Sequence, residues 1–190
     1  MTRILGIDPG LTRCGVGVID LMAGRRVNLV SVDVFRSQPD AELTARIGQI
    51  GNAIERLIAE TKPDIIALER VYADSNVRSV MGTAQISGVV LLLASRNGIP
   101  LALHTPTEVK AAVTGSGRAD KKQVGAMVAK ILGLNEVPKP ADAADSLAIA
   151  ICHAWRGAAA TSVESGNHSL TPAQAAWQQA ERAAAKKRES

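Results

Sequence analysis

The chain has 190 residues, 46% of them hydrophobic, and a formal net charge of +4, which is ordinary for one folded domain followed by a tail. Asp8 precedes any apolar stretch of signal-peptide length, and the longest apolar run, residues 89–94, is too short to cross a bilayer, so we expect a cytoplasmic protein. Cys14 and Cys152 lack CxxC spacing, which argues against a zinc site or a redox pair and predicts two buried free thiols.

The first three predicted elements are strands. Residues 3–8 and 14–19 are short runs rich in Ile and Val, and the Pro-Gly turn at residues 9–13 between them predicts a β-hairpin. Residues 27–35 continue this pattern as a third strand.

A helix and a buried strand follow the third strand. Apolar residues recur at helical spacing over residues 40–61, with Asp40 as the predicted N-cap and Pro63 just beyond the end. Residues 64–69 are apolar from Ile65 to Leu68 and end on Glu69, which is typical of a buried parallel strand closed by a carboxylate.

Helices dominate the second half of the chain. We predict helices over residues 76–97, 106–113 and 120–133, with a short strand at residues 101–104. The linker between the last two of these helices, residues 114–118, is rich in glycine and ends on a basic residue.

The last predicted helix begins near Pro140 and runs to about Trp155. Beyond it the sequence holds many Ala, Ser, Gln and Glu residues without core-like periodicity. We therefore predict one folded domain over residues 1–156 and a flexible, disordered tail over residues 157–190, in which an Ala-rich helix from Pro172 is an alternative.

Four carboxylates stand at the ends of apolar elements. Asp8 and Glu69 each close a strand, and an open sheet places its ligand crevice at the carboxyl ends of its strands. Asp142 and Asp145 are three residues apart in the last helix, so their side chains project from one face of its first turns. Taken singly, each acid has a structural alternative: Asp142 as a helix cap, Asp145 as a solvated acid, or Glu69 as a partner of Arg70.

Convergence of these four acids would require cations, because like charges in a cleft repel each other. Oxygen ligands without His or Cys favour Mg²⁺ or Mn²⁺. Two such ions can hydrolyse a phosphodiester bond, so the combination indicates a metal-dependent nuclease. His104 and His153 are assigned to the core or to a helix face, because no second His lies at ligand spacing in the sequence.

Basic residues are concentrated in the middle of the chain. Residues 70–122 hold seven basic and three acidic residues, a local excess of +4, which either forms a solvated face or binds an anion. Tyr72, the only tyrosine, follows Glu69 by three positions. Its ring could stack on an unpaired base or cover the edge of the core.

Four segments together resemble the RuvC family of Holliday-junction resolvases. They are Ile-Leu-Gly-Ile-Asp-Pro-Gly at residues 4–10, Cys-Gly-Val-Gly-Val-Ile at 14–19, Glu-Arg-Val-Tyr at 69–72 and Asp-Ala-Ala-Asp-Ser-Leu-Ala-Ile-Ala at 142–150. The first segment alone is weak, whereas the four in this order and spacing are specific. The resemblance covers residues 1 to about 155.

The resemblance implies a ribonuclease H-like α/β fold, a five-stranded mixed sheet with helices on both faces, and a symmetric homodimer. It implies a Mg²⁺-dependent endonuclease, with two ions per active site and Mn²⁺ as a substitute, that resolves four-way DNA junctions by paired symmetric nicks in homologous recombination and DNA repair. The implied partners are four-way junction DNA and the RuvA and RuvB branch-migration complex.

The resemblance also assigns roles to residues. The metal-binding and catalytic acids would be Asp8, Glu69, Asp142 and Asp145. Tyr72 stands where the family commonly has a phenylalanine thought to wedge at the crossover. Lys110 and Lys121 would hold backbone phosphates or steady the transition state. DNA binding is further assigned to three residues of the same basic region, Arg78, Arg118 and Lys122.

Three other functions remain as alternatives. An actin-like sugar kinase or ATPase would also open with Asp8 and Gly10, but that architecture needs two such domains. A ribosomal-RNA-processing nuclease of the YqgF type shares the first motif, whereas the Asp-Ala-Ala-Asp helix and the basic Gly-Ser-Gly segment favour a resolvase. A catalytically silent junction binder would bind without cleaving, and the presence of all four acids argues against it.

Overall fold

The structure is a computed structural model that describes the backbone of residues 1–71 and 77–163 and the side chains of residues 1–71 and 79–157. Residues Met1–Ala158 form one compact unit. The predicted tail lies almost wholly outside the described residues, so the tail and the domain boundary at residue 156 stay predictions.

One five-stranded sheet forms the centre of this unit. Its strands are β1 (Thr2–Asp8), β2 (Arg13–Leu21), β3 (Val27–Arg36), β4 (Ile65–Glu69) and β5 (Leu101–His104), in the spatial order β3-β2-β1-β4-β5. The first three strands pair antiparallel, whereas β4 and β5 run parallel to β1. The sheet is therefore mixed, and the predicted hairpin and third strand are confirmed.

Five helices accompany the sheet within the described residues: α1 (Leu43–Thr61), α2 (Val77–Arg96), α3 (Pro106–Thr114), α4 (Lys121–Leu132) and α5 (Ala141–Val163). Four begin and end within about three residues of their predicted bounds, and α5 extends further than predicted. The prediction that Asp40 caps α1 is wrong. The N-cap position is Glu42, and its side chain makes no capping hydrogen bond. The helix begins later than predicted because the chain first makes a turn, closed by a 3.2 Å hydrogen bond from the Ala41 N–H to the Gln38 carbonyl.

The helices bury both faces of the sheet. Side chains alternate along β1, so Leu5 faces one core with α1 and α2, whereas Ile4 faces the other with α4 and α5. The span Ser79–Arg96 of α2 is long and apolar enough to cross a membrane by length and composition, yet its residue Ile86 is fully buried in the first core. The arrangement is a layer of helices on each side of a mixed sheet.

Glycines in β1 and β2 let α5 approach the sheet closely. A Cβ atom at Gly6 would collide with the carbonyl oxygen of Ser146, and a Cβ atom at Gly15 would collide with the carbonyl oxygen of Asp142. Because no side chain intervenes, the first turns of α5 lie directly against the ends of these two strands. This contact determines where the acids at the start of α5 are placed.

Candidate active site

The four predicted acids converge at the carboxyl ends of the two central strands. Asp8 is the last residue of β1, and Glu69 is the last residue of β4, its parallel neighbour. Asp142 and Asp145 come from the first turns of α5. Burial, followed in order by the negative charges of Glu69, Asp145 and Asp142, raises the pKa of Asp8 to about 8. Asp8 lines one cleft together with Glu69 and Asp145 and a second cleft together with Asp142, so the four carboxyl groups surround one position.

Asp8 and Glu69 form the buried centre of this site. The pKa of Glu69 is also raised, chiefly by burial and then by the charge of Asp145, and a hydrogen bond between the Glu69 and Asp8 side chains opposes that rise. Two carboxyl groups in hydrogen-bond contact share a proton. The metal-free site therefore holds a proton at neutral pH, which a bound cation would displace.

The two outer acids are held by basic side chains. Lys121 Nζ lies 2.9 Å from Asp145 Oδ2, and Arg13 Nε lies 3.2 Å from Asp142 Oδ2. The hydrogen bond with Asp145 raises the pKa of Lys121. Within residues 1–71 and the described part of 77–163, no three His, Cys, Asp or Glu side chains already stand together as a metal cage. Both outer carboxylates face a cation of the protein itself.

Two clefts meet at Asp8. The smaller, of about 240 Å³, is lined by Asp8, Glu69, Pro106, Val109, Lys110, Lys121, Val124, Asp145, Ala148 and Ile149. The larger, of about 490 Å³, is lined by Asp8, Pro9, Gly10, Leu11, Thr12, Arg13, Arg46, Ser79, Gly82, Thr83 and Asp142. We call the larger one the hairpin cleft, because the β1–β2 turn forms one of its walls. The acids therefore lie at the junction of two open surfaces.

The predicted DNA-binding residues have different positions. Lys110 and Lys121 line the smaller cleft beside the acids. Arg118 and Lys122 are exposed, one in the glycine-rich linker and the other in the first turn of α4. Two further residues lie outside the described side chains, Tyr72 in a part of the chain with no described backbone and Arg78 in α2.

Two features of the site region were not predicted from the sequence. Arg13, at the β1–β2 turn, and Arg46, in α1, line the hairpin cleft together with Asp8 and Asp142. In addition, His104 Nε2 lies 3.0 Å from His153 Nδ1, in a part-buried pair next to Cys152. Burial, and then the charge of His104, lowers the pKa of His153 to about 4, so this ring is neutral at pH 7. The contact was missed because 49 residues separate the two histidines.

Both cysteines are buried free thiols, as predicted. Burial raises the pKa of Cys14 to about 12 and that of Cys152 to about 11. Since the thiolate is the reactive form, neither sulfur is poised for chemistry.

A ribonuclease H-like sheet with carboxylates gathered at the ends of its two central strands defines a nuclease of the ribonuclease H-like class. The family model described as crossover junction endodeoxyribonuclease RuvC matches residues 4–153. The chain belongs to this RuvC family, and it is accordingly a hydrolase that acts on DNA. The predicted family, fold and enzyme class are confirmed.

Similar proteins cover most of the chain. The crossover junction endodeoxyribonuclease RuvC of Leifsonia xyli subsp. xyli is 55% identical over 195 residues, covering 97% of this chain and 94% of the relative. The protein of the same name from Streptomyces griseus subsp. griseus is 61% identical over 157 residues, covering 83% and 77%. A solved structure described as T. thermophilus RuvC in complex with Holliday junction substrate has a TM-score of 0.80 at 32% identity, covering 85% of this chain and 98% of that one.

Proposed function

We propose that this protein is a structure-selective endonuclease that resolves Holliday junctions by paired, symmetric nicks in homologous recombination and DNA repair. The observation that carries the proposal is the convergence of Asp8, Glu69, Asp142 and Asp145 at the carboxyl ends of the two central strands. A T. thermophilus protein with the same fold is known in complex with a Holliday junction, which supports the choice of substrate.

The residues at the site fit divalent metal ions. All four candidate ligands are carboxylates, and hard oxygen donors without His or Cys suit Mg²⁺, or Mn²⁺ as a substitute. Burial, and then the charges of the other three carboxylates, raises the pKa of Asp8, whereas Lys121 opposes that rise, so a bound cation would favour the ionised form of Asp8. When bound there, two Mg²⁺ ions would activate a water molecule and neutralise the leaving oxygen. Asp8, Glu69, Asp142 and Asp145 would hold them.

The protein's own residues prepare the surroundings of the scissile phosphate. Lys110 and Lys121 bring two positive charges into the smaller cleft, where they attract the DNA backbone and favour the charge that develops during cleavage. Lys121 is held by Asp145, so its ammonium group is already positioned before DNA arrives. The buried ends of β1 and β4 fix the two central carboxylates, which keeps the ligand geometry rigid.

A cleavage assay on defined DNA tests this proposal. The purified protein is incubated with Mg²⁺ and one of three substrates: a synthetic four-way DNA junction, a linear DNA duplex of the same sequence, or a structured RNA. We expect nicks at symmetric positions in two strands of the junction and none in the duplex. Binding of the junction without cleavage would instead support the silent binder, and cleavage of structured RNA alone would support the ribosomal-RNA-processing nuclease.

Substitution of the acids tests their assignment. We expect Asp8→Asn and Asp145→Asn to abolish detectable junction cleavage while junction binding persists, because phosphate contacts made by Arg and Lys do not require the metal ligands. Glu136→Gln, which removes an exposed acid outside both clefts, is the matched control and should cleave normally. Cleavage at the wild-type rate by either Asn variant would remove that acid from the site.

We also propose that the protein is a homodimer, in which a second copy of the chain packs on the exposed apolar face of α2 that contains Met81 and Leu92. Three further assignments stay predictions: the wedging role of Tyr72, the partnership with RuvA and RuvB, and the cytoplasmic location.

A further inference from the structure

We propose that Arg46 and Thr12 form a second phosphate-binding site in the hairpin cleft, which holds a backbone phosphate of the strand being cut, next to the scissile phosphate. The inference rests on the proposed nuclease function, because it takes the ligand to be the same DNA strand that reaches the acids. Nothing in the sequence pattern pointed to Arg46, which lies in α1, far along the chain from all four acids.

Arg46 connects three parts of the chain around the β1–β2 turn. Its Nε donates to Ser37 Oγ at 3.0 Å, its NH2 group to Thr12 Oγ1 at 2.8 Å and its NH1 group to the Pro39 carbonyl at 3.4 Å. Ser37 in turn donates from its hydroxyl to the Leu11 carbonyl at 2.5 Å and from its backbone N–H to the Thr12 carbonyl at 3.2 Å. The guanidinium group is therefore fixed in place against a rigid turn.

The charge of Arg46 is not compensated by these contacts. All three acceptors of its side chain are neutral oxygens, and within the described part of the chain it forms no ion pair with a carboxylate. Arg13, the other arginine of the hairpin cleft, is already paired with Asp142. Arg46 is thus the cation that this cleft can offer to a new anion.

Donors for an anion remain at this position. A guanidinium group has five N–H donors, and the three contacts of Arg46 use three of them. Thr12 is exposed, and since its oxygen accepts the bond from Arg46, its own hydroxyl proton can be donated outward. Arg donors combined with a Thr hydroxyl are a common way of binding a phosphate group of a DNA backbone.

The position of the cleft identifies the ligand as part of a strand. The hairpin cleft shares Asp8 with the smaller cleft that contains Lys110 and Lys121. A DNA strand crossing Asp8 would pass from those lysines on one side to Arg46 on the other. Phosphates on both sides of the scissile bond would then be held, which fixes the scissile phosphate against the acids.

Binding measurements without metal test this site independently of cleavage. Junction affinity is measured by fluorescence anisotropy in chelator at several salt concentrations for the wild type, Arg46→Gln, Arg46→Lys and Arg56→Gln. Arg56 lies in the same helix but lines a different cavity, so it is the matched control. We expect Arg46→Gln to weaken binding about tenfold and to reduce the slope of log affinity against log salt by about one, with the wild-type slope in Arg46→Lys and Arg56→Gln.

Junctions with a single uncharged backbone position can identify the phosphate that Arg46 contacts. Junctions carrying one methylphosphonate, which removes the charge of a single phosphate, are compared at each position within three phosphates of the cut. We expect that a methylphosphonate at one of these positions weakens binding by the wild type but does not weaken binding by Arg46→Gln any further, because the two changes remove the same contact. A purely structural role of Arg46 would lower the unfolding temperature without this coupling.

The proposal is overturned if Arg46→Gln keeps the wild-type salt slope, or if its effect adds fully to that of every methylphosphonate. Should Arg46→Gln fail to fold, the same comparison is made with Thr12→Val, which removes the exposed hydroxyl donor of this site. A smaller effect of one methylphosphonate in Thr12→Val supports the site, and full additivity at every position overturns it. A wild-type protein that shows the coupling but cuts no junction would refute the proposed nuclease function and leave this site intact.

Discussion

Asp8 is the residue whose ionisation depends most on the fold, because it is buried among three other carboxylates. Its pKa is raised from 3.8 to about 8. In metal-free protein the folded state therefore keeps the Asp8 proton while the unfolded chain releases it, between about pH 4 and pH 8. This group's contribution to the free energy of unfolding is fully present below about pH 4 and is lost as the pH rises to about 8.

We therefore expect Asp8→Asn to stabilise the metal-free protein at high pH. In chelator the free energy of unfolding of the variant should exceed that of the wild type by up to about 5 kcal/mol at about pH 8 and match it at about pH 4, because Asn resembles the protonated acid. Urea unfolding at the two pH values measures this difference. Added Mg²⁺ is the control, since it should stabilise the wild type more than the variant. A variant that is equally destabilised at both pH values would contradict the prediction.

At the same scale, the sequence predicted the four acids and, through the family resemblance, the two lysines of the smaller cleft, but it did not predict Arg13 or Arg46. Asp8 and Glu69 each end an apolar strand, and the sheet topology alone brings such positions together. Arg46 meets Thr12 across 34 residues, through a turn whose geometry has no periodic signature. Contacts of this kind depend on the packing of one helix against one turn, which hydrophobic patterns do not encode.

The elements that carry the acids are positioned by backbone contact between strand and helix. Gly15 faces the first turn of α5, and an added Cβ atom would collide with the carbonyl oxygen of Asp142. The obstacle is backbone, which cannot move without shifting the start of the helix. The glycine therefore links the sheet to the placement of the acids of α5.

We expect Gly15→Ala to lower both stability and cleavage. Displacing α5 should cost about 1–3 kcal/mol in the free energy of unfolding and reduce the cleavage rate more than about tenfold, since Asp142 and Asp145 move together. Chemical unfolding and single-turnover cleavage measure the two effects. Gly48→Ala in α1 is the matched control, because its Cβ atom meets nothing within 4 Å, and it should be neutral or stabilising. Normal cleavage by Gly15→Ala would show that the acids tolerate movement of α5.

Most elements followed from the sequence because their periodicities are long and clear. The hairpin, β4 and α2 were each predicted within about two residues of their ends. The start of α1 was misassigned because Asp40 is a good N-cap residue by type, whereas the turn at Gln38–Ala41 delays the helix. The turn therefore determined where α1 begins, although Asp40 is by residue type the better N-cap.

At the scale of the whole molecule, the five-stranded mixed sheet was predicted from the family resemblance, whereas the order of its strands was not predicted. Apolar runs identify strands, but they do not specify that β1 lies between β2 and β4. That order places the ends of β1 and β4 side by side, and it is why two acids 61 residues apart form one site. The exposed basic residues Arg118 and Lys122 remain predicted DNA-binding residues, on the basis of their charge and their position.

The exposed face of α2 is the surface on which we expect the symmetric dimer to form. Met81 and Leu92 expose 54% and 50% of their surface on one stripe of this helix, and Gly88 lies between them with open space above it. Such an apolar stripe with a small residue at its centre favours close packing against the same helix of a second copy, since a two-fold interface uses the same surface twice. The two active sites of the pair would then face the two strands of a junction that are cut symmetrically.

We expect Leu92→Glu to produce monomers, because the interface would bury an unpaired glutamate from each copy. Sedimentation velocity at micromolar concentration measures the change, with Val30→Glu as the control. Val30 is 39% exposed on the edge strand β3 and is not part of α2, so its substitution should leave the dimer intact. The Leu92→Glu monomer should also nick one junction strand at a time instead of both in one binding event. A Leu92→Glu protein that sediments as a dimer would place the interface elsewhere, and paired nicking by a proven monomer would separate symmetric cleavage from dimer formation.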